Sequence, residues 1–269
     1  MENILQRSHG LKGLFIMLRV IYALILRETK TRYGRLKVGY IWAFLEPIFF
    51  VLILTTIFSY FGRVMGSADM PPTQFYLTGI LSYFLFQHVV VQTMMATQVN
   101  MQLLYFPQVQ VFDLGAARAV LETITFFVVL TLLTFLIWFA ELETVEIGDP
   151  LRIIFATFLI AAFGYGVGTA IGSLNTLFPS LQFLAQVVML RPLFFISGVF
   201  FTAEMIPETI RHYVLLNPLL QLIELMRSAY FHSFESIYVD YHYLTGTILS
   251  IVLLGLLLQR ALRKHAFRA

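Results

Sequence analysis

The sequence predicts an all-α integral membrane protein with six transmembrane helices, and three observations lead there. Of its 269 residues, 59% are hydrophobic and only 12% charged, whereas soluble domains carry roughly 25% charged residues. The apolar residues fall in long unbroken runs, not in the alternating ~10-residue strands of a membrane barrel. Lys and Arg gather at both ends of the chain, the pattern of a protein whose two termini lie in the cytoplasm.

A helix needs about 20 mostly apolar residues to cross the hydrocarbon core. The runs that meet this need are approximately Gly39–Phe61, Phe75–Thr97, Ala119–Phe139, Leu151–Phe178, Phe183–Phe201 and Tyr243–Leu258. Arg7, Lys12, Arg19, Arg27, Lys30, Arg32, Arg35 and Lys37 precede the first of them, and Arg260, Arg263, Lys264 and Arg268 follow the last. The segment between the third and fourth is acidic, with Glu141, Glu143, Glu146 and Asp149. An even number of spans agrees with cytoplasmic ends. The chain reads as a single domain, with a cytoplasmic basic segment at 1–38, a six-span bundle at 39–258 and a cytoplasmic tail at 259–269.

The opening residues are polar, unlike a cleavable signal peptide. Within Leu11–Leu26, the residues Leu14, Phe15, Leu18, Ile21, Tyr22 and Ile25 recur at spacings of three and four, which predicts an amphipathic helix in the membrane interface. In the fourth span Gly164, Gly168 and Gly172 form a ladder that lets helix backbones approach closely. Packing within the chain accounts for it, and a dimer seam is the alternative. Between Phe201 and Asp240, Pro207 and Pro218 interrupt an apolar, helical pattern. They predict two short helices on the outer side, dipping into the interface, with breaks near Ile206 and Asn217.

Several chemistries find no support. There is no cysteine, hence no disulfide or thiolate metal site. No G-x-x-x-x-G-K-[ST] loop occurs, so ATP is not hydrolysed by that route, and no nucleic-acid-reading motif is present. The six histidines do not form a metal-ligand pair. An intramembrane enzyme, such as a protease or glycosyltransferase, lacks a catalytic cluster.

Charges at membrane depth remain as functional candidates. Arg118 and Glu122, four apart, suit a helix-face ion pair. Arg191, before Pro192 and near the middle of the fifth run, has no carboxylate nearby in sequence. It suits a water-filled cavity and an anionic substrate, with Glu46 as the alternative counter-charge. The aromatic residues Tyr40, Trp42, Phe194 and Phe195 suit a stacking surface for sugar rings, lipid contact being the plainer role.

The stretch "LILRETKTRYGRLKVGYIWAFLEPIFFVLIL" resembles the N-terminal signature of the ABC-2 type permeases, in the branch that exports capsular polysaccharide. The matching residues are Arg27, Glu28, Arg32, Tyr33, Gly34, Gly39, Tyr40, Trp42, Leu45, Glu46 and Pro47, with Val38 where the family usually has Leu. The stretches "ARAVLET" (Ala117–Thr123), "RPLFFISGVFF" (Arg191–Phe201) and "NPLLQLIELMR" (Asn217–Arg227) are similar to the same branch, which often has Lys-Pro where this chain has Arg191-Pro192.

The resemblance implies a type V exporter-like fold and a channel subunit without enzymatic activity in an ATP-driven inner-membrane exporter of lipid-linked, acidic capsular polysaccharide. It implies a second copy of the chain and two copies of a separate ATPase that uses ATP and Mg, this chain binding no cofactor. The loop near Gln98–Ala117, with Tyr105, Phe106, Pro107 and Asp113, would couple to that ATPase. Arg32, Arg35 and Lys37 would meet the anionic leaflet or the charged head of the cargo. A periplasmic co-polymerase or adaptor and an outer-membrane export protein are further implied partners. Other cargoes compatible with the resemblance are O-antigen, teichoic acid or a small hydrophobic drug.

Overall fold

The computed structural model describes residues 2–33, 37–60 and 70–266, with side chains described for 13–30, 45–57, 60 and 70–262. Helices dominate, and no strand occurs among the described residues beyond an isolated bridge between Ile147 and Phe231.

Two helices open the chain, α1 (Glu2–Tyr33) and α2 (Lys37–Tyr60). After α3 (Pro72–Met94) come a short α4 (Ala96–Val99) and a 3-10 turn at Met101–Tyr105. Two long helices follow, α5 (Val111–Phe139) and α6 (Pro150–Leu174). A broken helix comes next: α7 (Leu181–Leu184), a π-helical turn at Ala185–Leu190 and α8 (Arg191–Ile196). The chain closes with α9 (Glu208–Val214), α10 (Pro218–Tyr230) and α11 (Tyr241–Ala266).

Among the described residues, four helices are long and apolar enough to cross a membrane: α3, α5, α6 and the Tyr241–Leu262 portion of α11. Leu45–Ile57 within α2 and Leu181–Ile196 are shorter apolar helices. Among the described residues, α3, α5, α6, α10 and α11 form the bundle, with α6 packed chiefly on α11 and α3. We call the end where α3 stops and α5 starts proximal, and the opposite end distal.

Local chemistry sets where the helices begin. Asp149 accepts from the backbone N–H groups of Leu151 and Arg152 at the start of α6. Asp240 does the same for His242 and Tyr243 at the start of α11. Such caps satisfy amides that have no partner within the helix. The start of α5 corrects the expected span, which began at Ala119. A capping box between Gln110 and Asp113 initiates the helix at Val111, so the proximal loop is shorter than Gln98–Ala117. The fourth run also stops early, at Leu174.

The expected fifth span, Phe183–Phe201, is corrected too. The helix ends at Ile196, and the chain reverses at Gly198, whose φ of +77° favours a residue without Cβ. Beyond the reversal, helix breaks at Ile206–Pro207 and Asn217 fall where the prolines place them. The helix α10 is buried along nearly its whole length.

The glycine ladder of α6 faces α3. A Cβ at Gly168 would lie 2.6 Å from the Val90 carbonyl oxygen, and one at Gly172 2.6 Å from that of Met94. The ladder is therefore used for packing within the chain. On the opposite face of α6, Gly166 meets the backbone of Val252, and Gly255 of α11 meets the Gly166 carbonyl.

Candidate functional site

Amid this apolar bundle, a polar cleft of about 270 Å³ opens between α3 and the broken helix. Gln87, His88 and Gln92 line it from α3, and Gln186 and Arg191 line it from the other side. His88 and Gln92 are one turn apart on the same face of α3, and Gln87 flanks them about 100° round the helix. Gln186 and Arg191 are five apart, a spacing that a π-helical turn brings into line. At 3.6 residues per turn the same pair would diverge by about 140°.

Arg191 is exposed. Among the described residues its side chain makes no hydrogen bond or ion pair, so Glu46, half-buried on α2, does not neutralise it. Tyr83 of α3 anchors the break by donating its hydroxyl to the Leu190 carbonyl. His88 lies 3.8 Å from Glu122 of α5, which is buried behind it.

Aromatic rings continue from the cleft toward the distal end. Phe84 stacks on His88, with centroids 5.8 Å apart, and on Phe194 at 6.4 Å. Phe50 of α2 meets Phe84 edge-on at 5.4 Å. Phe194 touches Phe195 and Phe200, and these two stack on each other at 5.8 Å. Thus Phe194 and Phe195 do join one aromatic surface, on which Phe195 and Phe50 are exposed. Phe86, by contrast, turns into the core against Phe163.

At the proximal end a second polar group ties α1 to the bundle. Arg118 of α5 donates through Nε and Nη2 to the Glu28 carboxylate of α1, each 3.2 Å long. Arg118 also reaches the Gln92 carbonyl, and Asn100 joins Arg27 to Glu28. The partners found for Arg118 and Glu122 are thus Glu28 and His88. Of the six apolar residues expected on one stripe of α1, Ile21 and Ile25 pack around Leu24 against Leu114 and Ala117, whereas Leu14, Phe15, Leu18 and Tyr22 stay exposed.

The other predicted residues separate. Tyr105, Phe106 and Pro107 are exposed in the proximal loop. Asp113 is buried in the first turn of α5, because its carboxylate is used as a cap. The side chains of Arg32, Arg35, Lys37, Tyr40 and Trp42 lie outside the described residues.

Sequence reasoning gave no role to Arg227 of α10. It is fully buried, donates to the carbonyls of Phe201 and Val199 at 3.0 and 2.9 Å, and lies over the Phe75 ring. Burial pushes its pKa down to about 10, against the pull of Glu224 3.8 Å away, whose own pKa burial raises. The missed cleft residues Gln87, His88, Gln92 and Gln186 had one signal, that of polar side chains inside apolar runs.

Comparison with known proteins gives this arrangement its relatives. The model of the ABC-2 type transporter family matches residues 19–231. The chain belongs to this family. As an ABC-2 type transporter chain, it is 34% identical over 241 residues to the polysialic acid transport protein KpsM of Escherichia coli, covering 89% of this chain and 92% of that protein. It is 30% identical over 259 residues to the capsule polysaccharide export inner-membrane protein CtrC of Neisseria meningitidis serogroup A, covering 94% of each. The O-antigen export system permease protein RfbA of Klebsiella pneumoniae is 25% identical over 261 residues, covering 92% of this ABC-2 chain and 93% of RfbA. The polar cleft therefore belongs to a transporter subunit.

Proposed function

We propose that this chain is the membrane-spanning subunit of an ATP-driven exporter that moves lipid-linked, acidic capsular polysaccharide across the inner membrane. The observation that carries this reading is the similarity to KpsM and CtrC, both named for capsule transport, over about nine-tenths of the chain.

Two copies form the channel, each with six spans. The four long apolar helices are joined in this reading by α2, at 24 residues long enough to cross, and by the shorter Leu181–Ile196. The faces of α2 and the broken helix expose Phe49, Phe50, Phe183, Val188 and Phe195, which suits contact with the second copy. The acidic residues Glu141, Glu143, Glu146 and Asp149 lie at the distal end, and the basic termini favour a cytoplasmic proximal end.

A separate ATPase supplies ATP hydrolysis with Mg, since the sequence carries no phosphate-binding loop. It docks on the proximal loop, where Tyr105 and Phe106 are exposed. Arg32, Arg35 and Lys37 meet the anionic leaflet or the cargo head, at roughly 1 kcal/mol per charge near the surface. The cargo follows the face that carries Arg191, Phe194 and Phe195, with Tyr40, Trp42 and Glu46 on the α2 side. The distal segment around α9 receives a periplasmic adaptor, which in turn meets an outer-membrane export protein.

The test is to delete the gene in its host and fractionate surface from cytoplasmic polysaccharide. Capsular polymer trapped inside the cell supports the reading. Normal surface capsule, without a redundant exporter, overturns it. Trapped O-antigen instead would favour the second reading, which rests on the similarity to RfbA.

A further inference from the structure

We infer that the cleft between α3 and the broken helix is a binding site for a phosphate group, the one borne by the lipid end of the exported glycan. This rests on the export reading above and adds to it the chemistry of what the cleft holds.

Three features of the cleft converge. The first is charge. Arg191 presents a guanidinium with no described partner to the cavity, and a permanent cation inside a membrane bundle is costly unless water or an anion meets it. The acid on this side, Glu122 of α5, is drawn toward His88.

The second is the company Arg191 keeps. The amides of Gln87, Gln92 and Gln186 all line the same cavity, and none of the three side chains makes a hydrogen bond among the described residues. Each amide brings two N–H donors, and the guanidinium brings five. A carboxylate is satisfied by one arginine fork, whereas a phosphate offers more acceptor oxygens to spread over the remaining donors. At about 270 Å³, the cavity also leaves space for a group attached to the phosphate.

The third is position. Gln92 lies two residues before the end of α3 at Met94, about 3 Å along the axis at 1.5 Å per residue. Gln92 thus puts one end of the cleft's lining close to the proximal end of this span. Toward the distal end the next neighbours are the rings of Phe84 and Phe194, which suit sugar faces better than charge. The π-helical turn, by bringing Gln186 and Arg191 into line, makes this donor set possible. Turns of this kind recur at functional sites.

The test uses the full-length chain in nanodiscs of phosphatidylcholine, with fluorescent phosphatidic acid as the lipid-borne phosphate. Saturable binding is expected, weakened at least tenfold by Arg191→Gln and several-fold by Gln186→Leu, with Arg191→Lys recovering most of the affinity. Size-exclusion profiles matching wild type keep the comparison valid, and Arg152→Gln at the distal end should leave binding unchanged. Undiminished binding by both Arg191→Gln and Gln186→Leu overturns the site. Equal binding of a fatty acid carboxylate overturns the preference for phosphate. Displacement by inorganic phosphate at equal concentration would make free phosphate the ligand and overturn the lipid-borne assignment. Because binding is measured without export, these failures are distinct from normal capsule in the deletion strain, which would overturn only the export reading.

Discussion

Arg118 and Glu28, ninety residues apart in sequence, meet through paired hydrogen bonds of 3.2 Å to one carboxylate oxygen and join α1 to the start of α5. Both side chains are more than nine-tenths buried. Glu28 thus has a structural role, holding α1 against the start of α5.

Breaking this pair from one side should be costly, since it leaves a buried charge without its partner. Arg118→Ala or Glu28→Ala is expected to destabilise the purified protein by about 3–5 kcal/mol, seen as a lower thermal midpoint in detergent. The double variant should lose less than the sum of the two. Strict additivity would mean that the contact contributes nothing as a pair.

Arg227 holds the chain reversal after the broken helix through the Val199 and Phe201 carbonyls. Arg227→Met keeps much of the volume but abandons both carbonyls and Glu224. A loss of about 3–5 kcal/mol is expected, and Arg227→Lys should restore only part, because an ammonium cannot reproduce the planar fork. Limited proteolysis between residues 197 and 206 would report the loosened reversal.

Gly168 and Gly172 sit where α3 and α6 touch backbone to backbone. Gly168→Leu should disrupt packing by at least the roughly 1–3 kcal/mol typical of an overfilled core. Gly246, with open space around its position, provides the contrast. Gly246→Ala should leave the thermal midpoint unchanged or raise it slightly, as expected for an exposed helix position.

Arg191 is exposed and makes no described contact, so Arg191→Ala should alter stability by no more than about 0.5 kcal/mol. Export should nonetheless fail, with normal levels of the protein in the membrane and polymer retained in the cytoplasm. Normal surface capsule in that strain would remove Arg191 from the transport path.

The helical architecture was legible because apolar length is a local property. So were the proline breaks around α9. The early start of α5 was less so, since Phe112, Leu114 and the alanines that follow continue an apolar run whether or not it is membrane-embedded. The fifth run misled by hydropathy: its one turn signal is Ser197-Gly198, and the buried arginine at position 227 that holds the reversal lies outside the run. Arg191 was readable as an anomaly in its own helix. Its cleft neighbours were not, because Gln186 joins it only through a π-helical turn and the remaining donors come from α3. The bond between Glu28 and Arg118 is a tertiary pairing that no periodicity encodes.

The glycines on opposite faces of α6 also bear on how a pathway could widen. Gly168 and Gly172 seat α3 on one side, and Gly166 with Gly255 seats α11 on the other. Sliding any of the three by half a turn would drive a side chain into a neighbouring backbone, so they behave as one rigid slab. Phe50 and Phe194 meet Phe84 through ring contacts, and the nearest backbone seat on that side is Gly79 of α3 against Val199, beyond the broken helix. Any widening of a pathway is therefore expected to leave α3, α6 and α11 together, while α2 and the broken helix, which Tyr83 ties to α3 at Leu190, take up the change.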